Sequence, residues 1–227
     1  MALLVTAATP KELLAALPAL AACALPEQRV LTVPHSPVLA CLTGVGPVNA
    51  GIALGSALAD KRVTAVCNTG LAGSFNLRRL PLRSLVLVTE EIFPEYGMNT
   101  GRAVNAAALG FAQWQQAGTA LYDRLPLTSA LHGLPLPAHL PRASALTVAG
   151  VSASPARARA LHKRYGAGIE NMEGFAVALA CARQGIDCIE IRCISNKVGA
   201  QNAAARDFAG AFEAMRTLLP ALFAAYC

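Results

Sequence analysis

A chain of 227 residues that is 55% hydrophobic and only 14% charged suits one globular domain spanning 1–227, and excludes a disordered or tail-bearing interaction protein. The formal charge of +6 comes from 15 Arg and 4 Lys scattered along the chain, with Arg78, Arg79 and Arg83 as the densest group. No aromatic residues are interleaved with them, so nucleic acid is not an expected partner. Cysteines at 23, 41, 67, 181, 188, 193 and 227 form no CxxC and no metal-ligand spacing, and read as reduced thiols packed in apolar runs.

The first residues, MALLVTAATPKELLAALPALAACAL, have no basic segment ahead of the apolar stretch, and Pro10, Lys11, Glu12 and Pro18 interrupt it short of a spanning length. No membrane association and a cytoplasmic location are expected. Strands are predicted at Leu3–Ala7, Val38–Thr43, Val63–Asn68, Leu85–Glu90, Ala145–Val151 and Cys188–Ser195, all short, apolar and mostly β-branched. Between them, Ala- and Leu-rich stretches predict helices over Pro10–Ala22, Val48–Ala59, Val104–Ala117, Pro155–Tyr165, Glu173–Gln184 and Ala203–Ala225. The alternation gives the fold class: α/β, with a central mixed, largely parallel β-sheet flanked by helices. Leu125 to Arg142, with four prolines and little periodicity, reads as a surface excursion near the active face and a candidate source of specificity.

Ligands of α/β sheets bind where strands end and helices begin. Five such joints carry suggestive residues: Ala8–Glu12, Gly44–Asn49, Asn68–Gly73, Asn171–Gly174 and Ser195–Gly199. GVGPVNAG at 44–51 lacks the third glycine and the distant acid of a dinucleotide fingerprint, and reads as a tight turn with Pro47 opening a helix. NTGLAGSF at 68–75 offers glycines where backbone can approach a ligand, or an ordinary strand-to-helix turn. In GIENMEGF at 168–175, Glu170 and Glu173 stand at the entry to an apolar helix, as helix-dipole partners or as carboxylates that need a ligand hydroxyl. EIRCISNKVG at 190–199 ends an apolar strand in Ser195 and Asn196, as site residues or as a turn.

In this order, NTGLAG, NMEG and IRCISN resemble the nucleoside phosphorylase and nucleosidase superfamily, especially the methylthioadenosine/adenosylhomocysteine nucleosidases and the futalosine hydrolases. The resemblance implies that Glu12, in the first helix, is the general base that activates water. It implies that Met172 packs on the nucleoside, that Glu173 accepts hydrogen bonds from the ribose hydroxyls, and that Gly150, Val151 and the following Ser152 contact the base through main chain. Ala72, Gly73 and Ser195 fall in substrate-contacting segments of the same motifs.

Asn196 stands where adenine-releasing members carry Asp. A neutral amide suits a 6-oxopurine, whose carbonyl wants a donor, and Ser-Asn at this point is similar to the futalosine hydrolases, which release hypoxanthine in menaquinone biosynthesis. Phosphorylases of the hexameric type carry Arg where Asn68 stands, so water is the expected acceptor. The resemblance implies no metal or organic cofactor, a purine nucleoside as the small-molecule partner, and a homodimer. Glu91 is expected to contact the distal part of the substrate or a partner subunit, or to lie exposed. A purine nucleoside phosphorylase, an adenosine-type nucleosidase and a noncatalytic nucleoside-binding protein are the alternatives.

Overall fold

Successive residues of the first strand, Ala2–Ala7 (β1), enter two different cores: Leu3, Val5 and Ala7 on one side, Leu4 on the other. That period of two marks a strand covered on both faces. The computed structural model describes residues 2–101, 103–116 and 118–226. After β1 come helix α1 (Pro10–Ala16), strands β2 (Val30–Thr32) and β3 (Leu39–Leu42), helix α2 (Pro47–Ala57), and strands β4 (Val63–Ser74) and β5 (Leu85–Ile92). Five short strands follow: β6 (Met98–Asn99), β7 (Val104–Asn105), β8 (Trp114–Gln116), β9 (Thr119–Leu121) and β10 (Arg124–Pro126). The chain continues with β11 (Arg142–Thr147), α3 (Pro155–Tyr165), β12 (Ile169–Asn171), α4 (Gly174–Gln184), β13 (Asp187–Lys197) and α5 (Phe208–Ala224).

The expected α/β sheet with flanking helices is present. Nine strands form one mixed sheet in the order β10-β5-β11-β12-β4-β1-β3-β2, with β13 pairing parallel to β4 and antiparallel to β5. Through β13 the strands β5, β11, β12, β4 and β13 close into a ring. Ala72, Val86, Val88, Ala145, Ile169 and Ile194, drawn from all five, pack as one cluster, as small barrels fill their interiors with side chains. Helices α1 and α5 cover one face through Leu13, Met215, Leu219 and Phe223; α2 and α4 cover the other through Leu54, Phe175 and Val177.

Several expected boundaries move, each for a local reason. Helix α1 stops at Ala16 because the residue before a proline is pushed out of the helical region, and Leu17, before Pro18, sits at φ −133°, ψ 74°. Helix α5 begins at Phe208, capped by Asp207, whose side chain accepts from the Gly210 amide at 2.9 Å.

No helix forms over 104–116, and Ala117, the last residue of that expected helix, lies outside the described residues. Strand β7, a short 3-10 turn at Ala107–Leu109 and strand β8 occupy the stretch. Gly110 ends the turn at φ 79°, and only Ala106 is buried between 104 and 111, so the segment has no apolar face with which to hold a helix.

Of the described cysteines all are free, with Cys41, Cys67, Cys181, Cys188 and Cys193 buried and Cys23 exposed rather than packed; Cys227 lies outside the described residues. Among the described residues no helix is long and apolar enough to cross a membrane.

Candidate active site

A cavity of about 630 Å³ opens at the carboxyl ends of β1, β4, β12 and β13, and all five joints singled out above contribute to its lining. Two of them are not turns at all. Asn68–Ser74 continues β4, and Ser195 and Asn196 continue β13, so their side chains are fixed by ladder hydrogen bonds rather than by a loop.

Glu12 enters the cavity through the first turn of α1. Thr9 is the N-cap and Glu12 the third helical residue, so the two form a capping box. Oε2 of Glu12 accepts from the Thr9 amide at 2.9 Å and from Thr9 Oγ1 at 2.6 Å, and Oε1 accepts from the Leu71 amide at 2.9 Å. Three donors thus orient a carboxylate that is buried yet lines the cavity. Directly beneath lies Gly70, at φ 151°, where an added Cβ would stand 2.7 Å from Glu12 Oε1 and 2.9 Å from Arg192 Nη1.

Only glycine admits that approach. Gly70→Ala is therefore expected to cost about 1–3 kcal/mol of stability and to impair turnover by displacing Glu12 and Arg192. Gly55→Ala on the open face of α2, where a Cβ meets nothing, serves as the control and should not destabilise. Urea unfolding checks both; equal behaviour of the two variants would remove the claim that Gly70 is a contact point.

Glu173 precedes α4 and approaches from the opposite wall. Its Oε1 accepts from the Gly46 amide at 3.1 Å and its Oε2 from Arg192 Nη1 at 3.4 Å. Burial raises its pKa from the ordinary value, and Arg192 and the Gly46 amide work against that rise. Gly46, at φ 93°, is the N-cap of α2, and Pro47 opens that helix as expected.

Arg192 was not singled out from the sequence. It is 1% exposed, with Nε donating to Glu190 Oε1 at 2.7 Å. A charged pair two residues apart inside the run CIEIRCIS was the available signal, because both side chains project from the same face of a buried strand.

Glu91 is neither exposed nor in the cavity. It is fully buried, with Oε2 2.7 Å from Thr147 Oγ1 and Oε1 accepting from Asn171 Nδ2 at 2.6 Å. Burial, with Glu190 nearby, pushes its pKa well above the ordinary carboxylate value. Asn171 Oδ1 in turn accepts from the amides of Glu173 and Gly174 at 2.9 and 2.8 Å, so Glu91 acts on the cavity only through the residue that starts α4.

At the far end of the cavity, Ser195 Oγ lies 2.9 Å from Asn196 Oδ1 and 3.3 Å from Ala72 O, and its proton goes to the nearer acceptor. That bond orients the amide, with Oδ1 toward Ser195 and Nδ2 left as a donor. Gly73 makes room for it, since a Cβ there would stand 3.0 Å from Nδ2.

Val151 and Ser152 line the same end, positioned by Glu170, which is part of β12 rather than a helix cap: it accepts from the Ser152 amide at 2.9 Å and from Ser152 Oγ at 2.6 Å. Gly150 does not line the cavity; it is exposed, and its carbonyl accepts from Arg157 Nη2 at 3.1 Å, which turns it outward. Met172 also lines the cavity. Asn68 is buried behind the cavity, accepting from Thr6 Oγ1 at 3.0 Å. The 125–142 excursion contributes nothing to the lining; Leu131 and Leu134 anchor it to the core beneath α1 and α5 instead.

The chain and its fold have known counterparts. Residues 3–226 match the Phosphorylase superfamily. A futalosine hydrolase of Thermus thermophilus is 37% identical over 163 residues, covering 71% of this chain and 70% of that protein. A futalosine hydrolase of Streptomyces coelicolor is 32% identical over 178 residues, covering 71% and 68%. The fold matches the native futalosine hydrolase of Helicobacter pylori with a TM-score of 0.68 at 16% identity, over 97% of both chains. It matches the 5'-methylthioadenosine/S-adenosylhomocysteine nucleosidase of the same organism with a TM-score of 0.67 at 15% identity, over 98% and 94%. The chain belongs to the phosphorylase superfamily. Within it, the protein is an N-glycosyl hydrolase, a nucleosidase.

Proposed function

We propose that this nucleosidase cleaves the N-glycosidic bond of a 6-oxopurine nucleoside, with futalosine as substrate and hypoxanthine and dehypoxanthine futalosine as products, a step of menaquinone biosynthesis. The observation that carries the base assignment is the Asn196 amide, whose oxygen is turned toward Ser195 and whose N–H group is left to donate. The names of the sequence relatives support futalosine.

In this reading Glu173 accepts hydrogen bonds from the ribose hydroxyls, and Met172 packs against the sugar and base. Val151 and Ser152 contact the base through main chain, while Ala72 and Gly73 form the floor. As the anomeric carbon gains oxocarbenium character, Asn196 donates to nitrogen 7 or the 6-oxo group and stabilises the departing base. Glu12 takes a proton from a water that attacks the anomeric carbon, and Arg192, which meets Glu12 across Gly70, adds positive charge beside the incoming oxygen. The released base carries the electron pair of the broken bond and takes a proton from solvent, while Glu12 returns to solvent the proton it took from the attacking water.

Asn196→Asp is expected to lower kcat/KM for inosine about tenfold to a hundredfold while sparing adenosine, because a carboxylate faces the 6-oxo group with an acceptor instead of a donor. A wild-type enzyme that already prefers adenosine would contradict the reading. Two copies of the chain and a cytoplasmic location complete it. The exposed apolar side chains of Val48 and Ile52 on α2, beside Val45 at the mouth of the cavity, support self-association, which sedimentation reads directly.

A further inference from the structure

Arg206 lines the cavity, yet the reaction as described leaves it without a part. An isolated antiparallel bridge sets it opposite Asn196. The amide of Asp207 donates to the Ser195 carbonyl at 2.7 Å, so the residues joined are those flanking the pair. Asn196 and Arg206 are thus the close, non-hydrogen-bonded kind of antiparallel pair, whose side chains lie side by side on one face.

The guanidinium is also tethered. Its Nη2 donates to the Gln201 carbonyl at 3.1 Å, and Gln201 Nε2 donates to the Ala153 carbonyl at 3.2 Å. This chain of contacts ties the cation to the Val151–Ala153 segment of the cavity wall, beside Asn196. Among the described residues Arg206 forms no ion pair. Its remaining N–H groups are therefore available to a ligand.

We propose that Arg206 is a specificity-determining residue that completes a donor–donor edge with Asn196, selecting a purine in which nitrogen 7 and the substituent at position 6 are both acceptors. A 6-oxopurine presents those two acceptors on that edge, whereas a 6-aminopurine presents an acceptor beside a donor. The guanidinium cannot serve as an acceptor, so an amino group opposite it leaves both donors unmatched. The same cation stabilises the negative charge that gathers on nitrogen 7 and the 6-oxygen as the base departs, so its contribution grows toward the transition state. The inference rests on the reading of Asn196 as the residue facing the base.

The test compares wild type, Arg206→Met and Arg206→Lys with inosine and adenosine, which differ only in the base, and with free hypoxanthine and adenine by calorimetry. Arg206 is exposed and its replacement leaves no buried charge, so the variants fold; thermal unfolding verifies this. Arg206→Met is expected to lower kcat/KM for inosine about tenfold to a hundredfold, to weaken hypoxanthine binding, and to change adenosine and adenine by no more than about twofold. Arg206→Lys should fall between, since an ammonium donates but lacks the planar fork.

An unchanged inosine-to-adenosine ratio in Arg206→Met would overturn the proposal. So would a loss seen with futalosine and not with inosine, which would move the guanidinium to the far end of the sugar. Both results leave Asn196 intact. A wild-type preference for adenosine would instead overturn the underlying reading of the base, and Arg206 with it.

Discussion

Glu12→Gln is expected to lower kcat by about 10²- to 10⁴-fold, the usual contribution of a positioned general base. The amide retains the shape of the carboxylate and can still complete the capping box, since Gln serves at the third helical position as Glu does. With the amide oxygen turned to Thr9 the new NH2 faces the Leu71 amide, a donor against a donor, so stability should fall by about 1–3 kcal/mol while hypoxanthine still binds the folded variant as it binds wild type. The separation of these readouts is what makes the experiment informative. Loss of turnover in a variant that still folds and binds hypoxanthine assigns Glu12 to the chemistry. Turnover within a few-fold of wild type would remove it as the base, whatever its place in the cavity.

Arg192→Leu is expected to destabilise the protein by about 3–5 kcal/mol, because it strands the buried carboxylate of Glu190 and removes the cation beside Glu173. Glu190 is fully buried and bonded to the Arg192 Nε, and Glu173 is nearly so. A Cβ on Gly174 would run into both Glu91 and Glu190, which shows how closely these two acids crowd the start of α4. One guanidinium serves three carboxyl groups, and burial with the neighbouring Glu190 raises the Glu91 pKa well above the ordinary value, which favours its protonated form.

The hydrogen bonds accommodate a neutral Glu91. Thr147 Oγ1, which accepts from the Phe175 amide at 2.7 Å, lies 2.7 Å from Glu91 Oε2 and 3.3 Å from Asn171 Oδ1; it donates to the carboxylate when Glu91 is ionised, and on protonation it turns its proton to Asn171 and accepts from Oε2–H. Glu91→Gln reproduces that pattern, with an amide N–H in place of the acid O–H, and should be nearly neutral at acid pH.

The pH dependence follows from the direction of the shift. A carboxyl whose pKa is raised on folding holds a proton in the folded chain that the unfolded chain has released, so its stabilisation is complete at acid pH and is lost as pH rises toward the folded pKa. Wild type should therefore lose stability relative to Glu91→Gln as pH rises from the ordinary carboxylate value of about 4 into the alkaline range. Urea unfolding across that interval reads the difference. Parallel curves for the two proteins would show that Glu91 is not the protonated member.

Much of this arrangement was legible in the sequence. The apolar runs located β1, β3, β4, β5, β11 and β13, and the five joints between runs and helices supply most of the cavity. Met172, Glu173, Ser195 and Asn196 were singled out because each stands at such a joint within a recognisable motif, and Glu12 because the family resemblance marks its place in the first helix; all five line the cavity.

What escaped had physical causes. Strand β12 has three residues, too few for a period to show, yet it carries Glu170 and Asn171. Arg192 and Glu190 lie inside a run read as apolar, and only the paired partners explain how they can be buried. Arg206 stood in a stretch expected to be helix, whereas the local chain is extended and bridged to Asn196, a long-range contact that no local pattern announces. The closing of the sheet through β13 likewise depends on pairings between distant segments. The stretch 104–116 shows the converse, since helix-favouring composition without an apolar face to bury gave no helix.

Hydrolysis rather than phosphorolysis is the central claim, and product analysis in water enriched in oxygen-18 tests it most directly. Futalosine should yield hypoxanthine and a free sugar bearing the heavy oxygen at its anomeric carbon, at the same rate with or without added phosphate. Formation of a sugar 1-phosphate, or a rate that depends on phosphate, would contradict the account.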